Sequence, residues 1–174
     1  GGGTLFTSSK PGHYLVIKPP CTGISLRTGA HQIFIAGGSG ASGLLQLAQD
    51  AAVRQKLKVE FHHAIRQSKG LRHLMSQALH DNYYCYESEN NIRMNIKAIL
   101  KRQPKDTHIY ACGPLALLID VIQSTHELNR PLNQVHWDKA FDTVLLKKIR
   151  GFIHRSPREK WGSITSTDRT SLQS

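Results

Sequence analysis

The chain has 174 residues, of which 39% are hydrophobic and 20% are charged, proportions typical of a globular protein with a buried core. No apolar run is long enough to cross a bilayer, and the N-terminus lacks the basic-then-apolar order of a signal peptide. We therefore expect neither a membrane-spanning segment nor a signal peptide. The sequence begins Gly1-Gly2-Gly3 without a methionine, which indicates a fragment or a processed end.

The formal net charge of +11 favours contact with an acidic partner such as nucleic acid, anionic lipid or an acidic protein surface. The lysines and arginines are scattered, so the alternative is a protein that is simply basic. Cys21, Cys85 and Cys112 are odd in number and lack C-x-x-C spacing. They predict no zinc site, iron–sulfur ligand set or disulfide framework, and they favour a reducing compartment such as the cytoplasm.

The first part of the chain, residues 1–30, has the pattern of a lead-in to the main domain. Residues 13–17 (HYLVI) predict a strand that ends at Lys18-Pro19-Pro20, because proline cannot continue a ladder of backbone hydrogen bonds. Residues 21–30 then predict a loop. We expect this lead-in to precede the first strand–helix unit and to belong to a sheet edge or another subdomain.

From residue 31 the hydrophobic periods of strands and helices alternate. Strands are predicted at 31–36, 58–65, 82–87, 107–112 and 134–137, and helices at 42–55, 70–80, 92–102 and 115–128. Apolar residues at helical spacing, including Leu44, Leu74 and Ile92, are predicted to face inward. Strands that alternate with helices imply right-handed crossovers. The sequence therefore predicts an α/β domain over 31–141, with a five-stranded parallel sheet flanked by helices.

A glycine-rich turn follows the first predicted strand of this domain. Gly37, Gly38 and Gly40 allow backbone angles that a Cβ would forbid, and Ser42 is placed to cap the next helix. With Gly43, the turn fits the spacing G-x-G-x-x-G. The first-turn N–H groups of such a helix favour an anion such as a pyrophosphate. The alternative is an ordinary strand-to-helix turn that holds no ligand.

In an open parallel sheet, ligands lie beyond the carboxyl ends of the strands, where the strand order reverses. This rule places three segments that are distant in sequence, 37–42, 64–68 and 112–114, along one rim of the predicted domain. We therefore expect a candidate binding site at that rim.

The last segment, 142–174, differs in composition from the domain. Residues 144–153 predict a basic amphipathic helix, and the chain beyond Ser156 is rich in serine, threonine and charge, which is typical of a flexible or partner-dependent segment. The basic residues Lys147, Lys148 and Arg150 are interpreted as a solvated face. The alternative is that these residues form a docking patch for an acidic partner.

Two motifs give the domain a family resemblance. Ile109-Tyr110-Ala111-Cys112-Gly113-Pro114, taken with the segment 35–42 (IAGGSGAS), resembles the nicotinamide-nucleotide domain of the ferredoxin reductase superfamily. The likeness is strongest to the phthalate dioxygenase reductase and vanillate demethylase reductase branch, which also has a segment like 61–68 (FHHAIRQS). The resemblance covers residues 1–141, with 1–20 similar to the tail of a flavin domain.

The resemblance implies a cofactor and a role for each motif. The bound nucleotide would be NAD or NADP, with its pyrophosphate against the turn formed by Gly37, Gly38, Gly40 and Ser42. Arg66 and Ser68 would lie near the adenosine ribose. The segment Cys112, Gly113 and Pro114 would lie near the nicotinamide, beside a flavin. The implied reaction is hydride transfer from NAD(P)H to FAD or FMN, with the protein setting position.

The sequence departs from the family in several places. The family's closing H-x-E-x-F corresponds to 136–140 (HWDKA), so the carboxylate is the shorter Asp138 and the aromatic residue is displaced to Phe141 or missing. The flavin-binding R-x-Y-S motif is absent, and no cysteine-rich iron–sulfur domain follows. We therefore expect the flavin to come from a missing segment or a partner chain.

Individual residues at these motifs also have ordinary structural explanations. Cys112 is interpreted as a small rim or core residue and not as a nucleophile, because no base accompanies it. His62 and His63 are interpreted as strand residues and not as metal ligands. Arg66 fits a surface charge as well as a ribose contact. No catalytic residue and no metal ligand is assigned.

Three functions from different classes follow from these features. The motifs at Gly37 and Cys112 favour the NAD(P)H-binding part of a flavin-dependent electron-transfer reductase. The absent flavin domain and the basic C-terminal segment favour a non-catalytic accessory or scaffold subunit of a larger complex. A nucleic-acid binder is favoured by charge alone, without a recognition element.

Overall fold

The structure is a computed structural model that describes residues 24–153. Its strands are β1 (His31–Gly37), β2 (Lys58–Ile65), β3 (Tyr83–Glu87), β4 (His108–Cys112) and β5 (Val135–His136). Every pair is parallel, and the order across the five-stranded sheet is β3-β2-β1-β4-β5. The predicted fold class is confirmed. The predicted strand at 13–17, Cys21 and the segment beyond 153 lie outside the described residues.

Helices cover both faces of the sheet. They are α1 (Gly40–Gln49), α2 (Leu71–Leu79), α3 (Ile96–Lys101), α4 (Leu115–Glu127) and α5 (Asp142–Ile153), and a π-helical turn (Asp50–Arg54) continues α1. Successive residues of a strand point to opposite faces, and in β1 Ile33 and Ile35 enter one core while Phe34 and Ala36 enter the other. The first core is covered by α3, α4 and α5, and the second by α1 and α2.

Two side chains predicted to be buried are exposed. Leu74 of α2 is 62% exposed and Ile92 is 44% exposed. The helix predicted at 92–102 begins only at Ile96, because the Asn95 side chain accepts a hydrogen bond from the backbone N–H of Ala98 at 3.0 Å and caps it. Ile92 therefore precedes the helix and does not share its apolar face.

We expect Asn95→Ala to destabilise the domain by about 1 kcal/mol, because it removes the side-chain acceptor at the start of α3. Chemical denaturation would measure the free energy of unfolding. Asn95→Asp keeps a carboxylate oxygen at the cap and should retain wild-type stability. Asn90→Ala, at an exposed asparagine of the preceding turn, is the matched control, and an equal loss there would contradict the capping role.

The basic helix predicted at 144–153 is present as α5 and packs onto the first core through Leu145 and Ile149, which are buried. Its start is fixed by Trp137, whose Nε1–H donates a hydrogen bond to Oδ1 of the buried Asp142 at 2.9 Å. The opposite side of α5 is exposed and basic, as expected for an amphipathic helix, and carries Lys147, Lys148 and Arg150. Over the described residues, no helix has the length and apolar character needed to cross a membrane.

Candidate functional site

The candidate site lies where the strand order reverses, between β1 and β4. Helix α1 leaves β1 toward one core and α4 leaves β4 toward the other, so a crevice opens between them at the carboxyl ends of the strands. This crevice is a cleft of about 310 Å³. Its lining residues come from three loops: Gly37, Gly38, Ser39, Gly40, Cys112, Gly113, Pro114, Asp138 and Phe141. The structure thus brings the two motifs together.

Glycine residues form the contacts between the two walls of the cleft. A Cβ on Gly40 would lie 2.7 Å from the carbonyl carbon of Cys112, and a Cβ on Gly113 would lie 2.9 Å from the backbone nitrogen of Gly37. A Cβ on Gly37 would lie 2.9 Å from Cδ of Pro114. The backbones of the β1–α1 and β4–α4 loops therefore pack directly against one another, a contact that side chains larger than hydrogen would prevent.

Gly38 faces open space in this otherwise tight arrangement. Its φ of +55° lies in the left-handed region, and a Cβ there would meet nothing within 4 Å. Two hydrogen bonds attach Gly38 to β2: its N–H donates to the carbonyl of Ala64 at 2.9 Å, and its carbonyl lies 2.8 Å from Nε2 of His63. The exposed side of this glycine leaves the backbone accessible to a ligand.

Helix α1 begins two residues earlier than the sequence predicts. Its N-cap is Ser39, whose side chain makes no capping hydrogen bond, and the Ser42 hydroxyl donates to the Ser39 carbonyl at 2.8 Å. The prediction that Ser42 caps the helix is wrong. Gly40 starts the helix because the absence of a side chain lets its backbone approach β4. Ser39 and Gly40 both line the cleft, so the N-terminus of α1 lies at it.

Arg66 and Ser68 follow β2 at the same edge of the sheet but do not line the cleft. Arg66 is exposed, and its carbonyl accepts a hydrogen bond from the N–H of Glu89 at 3.1 Å. The N–H of Ser68 donates to Glu87 Oε2 at 3.1 Å, and the other oxygen of Glu87 accepts from Arg72 at 2.9 Å. The 66–68 segment is thus fixed to the end of β3, beside the cleft.

Asp138 and Phe141 complete the cleft from beyond β5. The sequence left the position of the closing aromatic residue open, and the structure places Phe141 at the lining together with Asp138. Asp138 accepts a hydrogen bond from the N–H of Ala140 at 2.9 Å, which forms a short turn (Lys139–Phe141) before α5. Phe141, the last residue of this turn, is thus the aromatic residue that lines the cleft.

The two described cysteines differ in position. Cys112 is buried and lines the cleft, whereas Cys85 is a free cysteine in β3. Within 24–153 no group of three His, Cys, Asp or Glu side chains is arranged to hold a metal ion.

Comparison with known proteins identifies the family of this chain. Residues 15–135 match the N-terminal domain of the family described as dimethylamine monooxygenase subunit DmmA-like. The chain belongs to this DmmA-like family. The cleft, which is built from residues 37–40, 112–114, 138 and 141, lies mostly within the matched part of this DmmA-like chain.

Two relatives in sequence carry related descriptions. Over 119 residues the DmmA-like chain is 29% identical to the carnitine monooxygenase reductase subunit of Acinetobacter baumannii, covering 67% of this chain and 37% of that protein. Over 145 residues it is 28% identical to the heme-dependent oxidative N-demethylase beta subunit of Ectopseudomonas mendocina, covering 79% of this chain and 45% of that protein. The chain spans less than half the length of either relative.

Solved structures show the same fold. An intact type IV self-sufficient cytochrome P450 monooxygenase matches 62% of the DmmA-like chain and 14% of its own, with a TM-score of 0.55 and 23% identity. CYP116B46 from Tepidiphilus thermophilus matches 66% of this chain and 16% of its own, with a TM-score of 0.51 and 25% identity. Together the comparisons agree with the resemblance to ferredoxin reductases at the level of the superfamily.

Proposed function

We propose that this domain is the NAD(P)H-binding part of an electron-transfer reductase subunit that serves a multicomponent oxygenase. The observation that carries the proposal is the cleft at the β1–β4 switch point, where an open glycine backbone meets the start of α1. The reductase description of the carnitine monooxygenase relative supports the electron-transfer role. The two motifs that line the cleft also support it, because they resemble those of the phthalate dioxygenase reductase-like branch.

The residues present fit a dinucleotide pyrophosphate. Gly38 is open to the cleft, and side chains on Gly37 and Gly40 would collide with the opposite wall. Helix α1 carries no acidic residue in its first turn, so its N–H groups and its dipole attract an anion without competition from a carboxylate. Residues 37–40 are therefore assigned to the phosphates.

The rest of a dinucleotide would extend to both sides of this turn. Arg66 and Ser68, fixed at the end of β2, are assigned to the adenosine ribose, and the segment 112–114 is assigned to the nicotinamide side. Bound NAD or NADP supplies the hydride chemistry, with FAD or FMN held by a partner or by another segment. The chain itself positions the nucleotide and, through Phe141, covers the cleft with an apolar surface.

A second candidate function is a scaffold subunit that keeps the fold without nucleotide binding. The cleft volume of about 310 Å³ favours it, because that volume lies at the lower end of the range for ligand pockets. In that case the domain would act through contacts with other subunits, an acidic protein surface among them.

NADH titration followed by calorimetry tests the proposal, with Ser39→Asp as the decisive variant. An aspartate at the helix N-cap should maintain or raise the melting temperature. Its charge would repel the pyrophosphate, so we expect the NADH dissociation constant to increase on the order of tenfold or more. Gln46→Glu adds the same charge on the exposed side of α1, about two turns further along, and should change the dissociation constant less than about threefold.

Two results would contradict the proposal. One is the absence of heat from wild-type protein at millimolar NADH and NADPH, which would favour the scaffold function. The other is equal NADH affinity of wild-type and Ser39→Asp, which would place the nucleotide away from α1.

A further inference from the structure

A buried histidine outside the cleft is bonded to the turn that lines it. His63 of β2 has 0% exposure. Its Nε2 lies 2.8 Å from the Gly38 carbonyl oxygen, and its Nδ1 lies 2.8 Å from the hydroxyl of Tyr83 on β3. The imidazole thus connects the edge strand to the glycine turn across β2.

The partners of His63 fix its protonation. A carbonyl oxygen can only accept, so Nε2 carries the proton and donates to Gly38, while Nδ1 accepts from the Tyr83 hydroxyl. Burial lowers the pKa of His63 and outweighs the opposing effect of the Gly38 hydrogen bond, so the ring is neutral at pH 7. Burial also raises the pKa of Tyr83, which keeps its hydroxyl a donor.

We infer that His63 is a positioning residue for nucleotide binding, because its hydrogen bond to Gly38 holds the 37–40 turn in the conformation that presents the α1 N-terminus to the cleft. This inference rests on the proposed function. It assigns His63 no contact with the nucleotide.

The geometry of Gly38 explains why the turn needs such a support. Glycine occupies left- and right-handed conformations with similar ease, so the φ of +55° at Gly38 is not imposed by the residue itself. The bond from Gly38 N–H to Ala64 and the bond from His63 to the Gly38 carbonyl restrain both polar groups of this glycine. Loss of the second bond leaves the carbonyl free to rotate toward water, and the turn then has more conformations to lose on binding.

The neighbouring histidine provides a matched control. His62 also has 0% exposure and also makes two hydrogen bonds, with its Nε2 2.8 Å from Glu60 Oε1 and its Nδ1 2.9 Å from the Tyr86 hydroxyl. It lies on the opposite face of the sheet from His63. Replacement of His62 removes an equally buried imidazole without touching the glycine turn.

The experiment compares His63→Phe with His62→Phe in two measurements. Hydrogen exchange should show faster exchange of the amides of residues 38–41 in His63→Phe only. Calorimetry should show an NADH dissociation constant at least about fivefold higher than wild type in His63→Phe and within about twofold in His62→Phe. His63→Gln, whose amide can donate to the Gly38 carbonyl, should recover most of both effects.

The outcomes separate this inference from the proposed function. If the amides of residues 38–41 exchange faster in His63→Phe but the wild-type protein does not bind NADH, the proposed function is contradicted. The conclusion that His63 holds the 37–40 turn would still stand. Unchanged exchange, or equal changes in the two histidine variants, would overturn the role of His63. If His63→Phe does not fold, His63→Asn keeps a polar atom near the position of Nδ1, opposite Tyr83, but has none at the position of Nε2 that bonds Gly38. A wild-type dissociation constant and exchange pattern in that variant would likewise overturn the role of His63.

Discussion

Gly40→Ala is expected to destabilise the domain by about 1–3 kcal/mol, as overpacking of a tight interior contact does. The new Cβ would lie 2.7 Å from the carbonyl carbon of Cys112 and 3.1 Å from the nitrogen of Gly113. Both atoms belong to the backbone, which cannot rotate away as a flexible side chain can. The relief of this contact must move the start of α1 away from β4, and we therefore expect weaker NADH binding as well.

Chemical denaturation and calorimetry would measure the two effects of Gly40→Ala separately. Gly151→Ala is the control, because a Cβ at Gly151 of α5 would meet nothing within 4 Å. Alanine favours a helix over glycine, so this control should raise stability by up to about 1 kcal/mol. A Gly40→Ala protein with wild-type stability would show that the two loops are not in contact through their backbones.

The domain should lose stability as the pH falls from 7.5 to 5.5. Burial lowers the pKa of both His62 and His63 below the ordinary value of 6.5. In the window below 6.5 the unfolded chain therefore binds more protons than the folded protein, and acidification favours unfolding. Each histidine contributes a slope of at most about 1.4 kcal/mol per pH unit.

A second loss is expected at lower pH from Glu60. Its burial would raise the carboxyl pKa, but hydrogen bonds from Arg102, His62 and Gln103 outweigh burial and hold the pKa below its ordinary value of 4.5. The stability that these bonds supply is present above 4.5 and is lost as the pH falls through the pKa of the folded state. Protonation of Glu60 and of the histidines thus acts in the same direction.

Denaturation curves at half-unit pH intervals would test this dependence. His62→Gln and His63→Gln should each flatten the slope between pH 6.5 and 5.5, and the double variant should flatten it most. His73→Gln, at an exposed histidine of α2, should leave the slope unchanged. Constant stability across the window in wild type would contradict the expected neutral state of the two buried rings.

The parallel sheet and the meeting of the two motifs at one of its edges could be foreseen because they follow from general rules. Alternating periods fix a parallel sheet, and the reversal of strand order brings Gly37 and Cys112 to one edge. The apolar runs within β1 and β4, residues 33–36 and 109–112, are unambiguous, since each is followed directly by glycine.

Features that depend on single contacts could not be foreseen. The early start of α1 depends on the close approach of Gly40 to β4, and the late start of α3 depends on the side chain of Asn95. The position of Phe141 depends on the turn after Asp138. The bond between His63 and Gly38 joins residues whose proximity only the register of β2 against β1 reveals, although an HH pair within a buried strand is a signal worth following.

The strand order also bears on how the polypeptide emerges from the ribosome. The central strand β1 pairs with β2 on one side, soon after both are synthesised, but its other neighbour β4 follows only after β3 and α3. The residues of one wall of the cleft are therefore synthesised well before those of the other. During that interval Ile33 and Ile35 lack the partners from β4 and α4 that bury them in the finished domain.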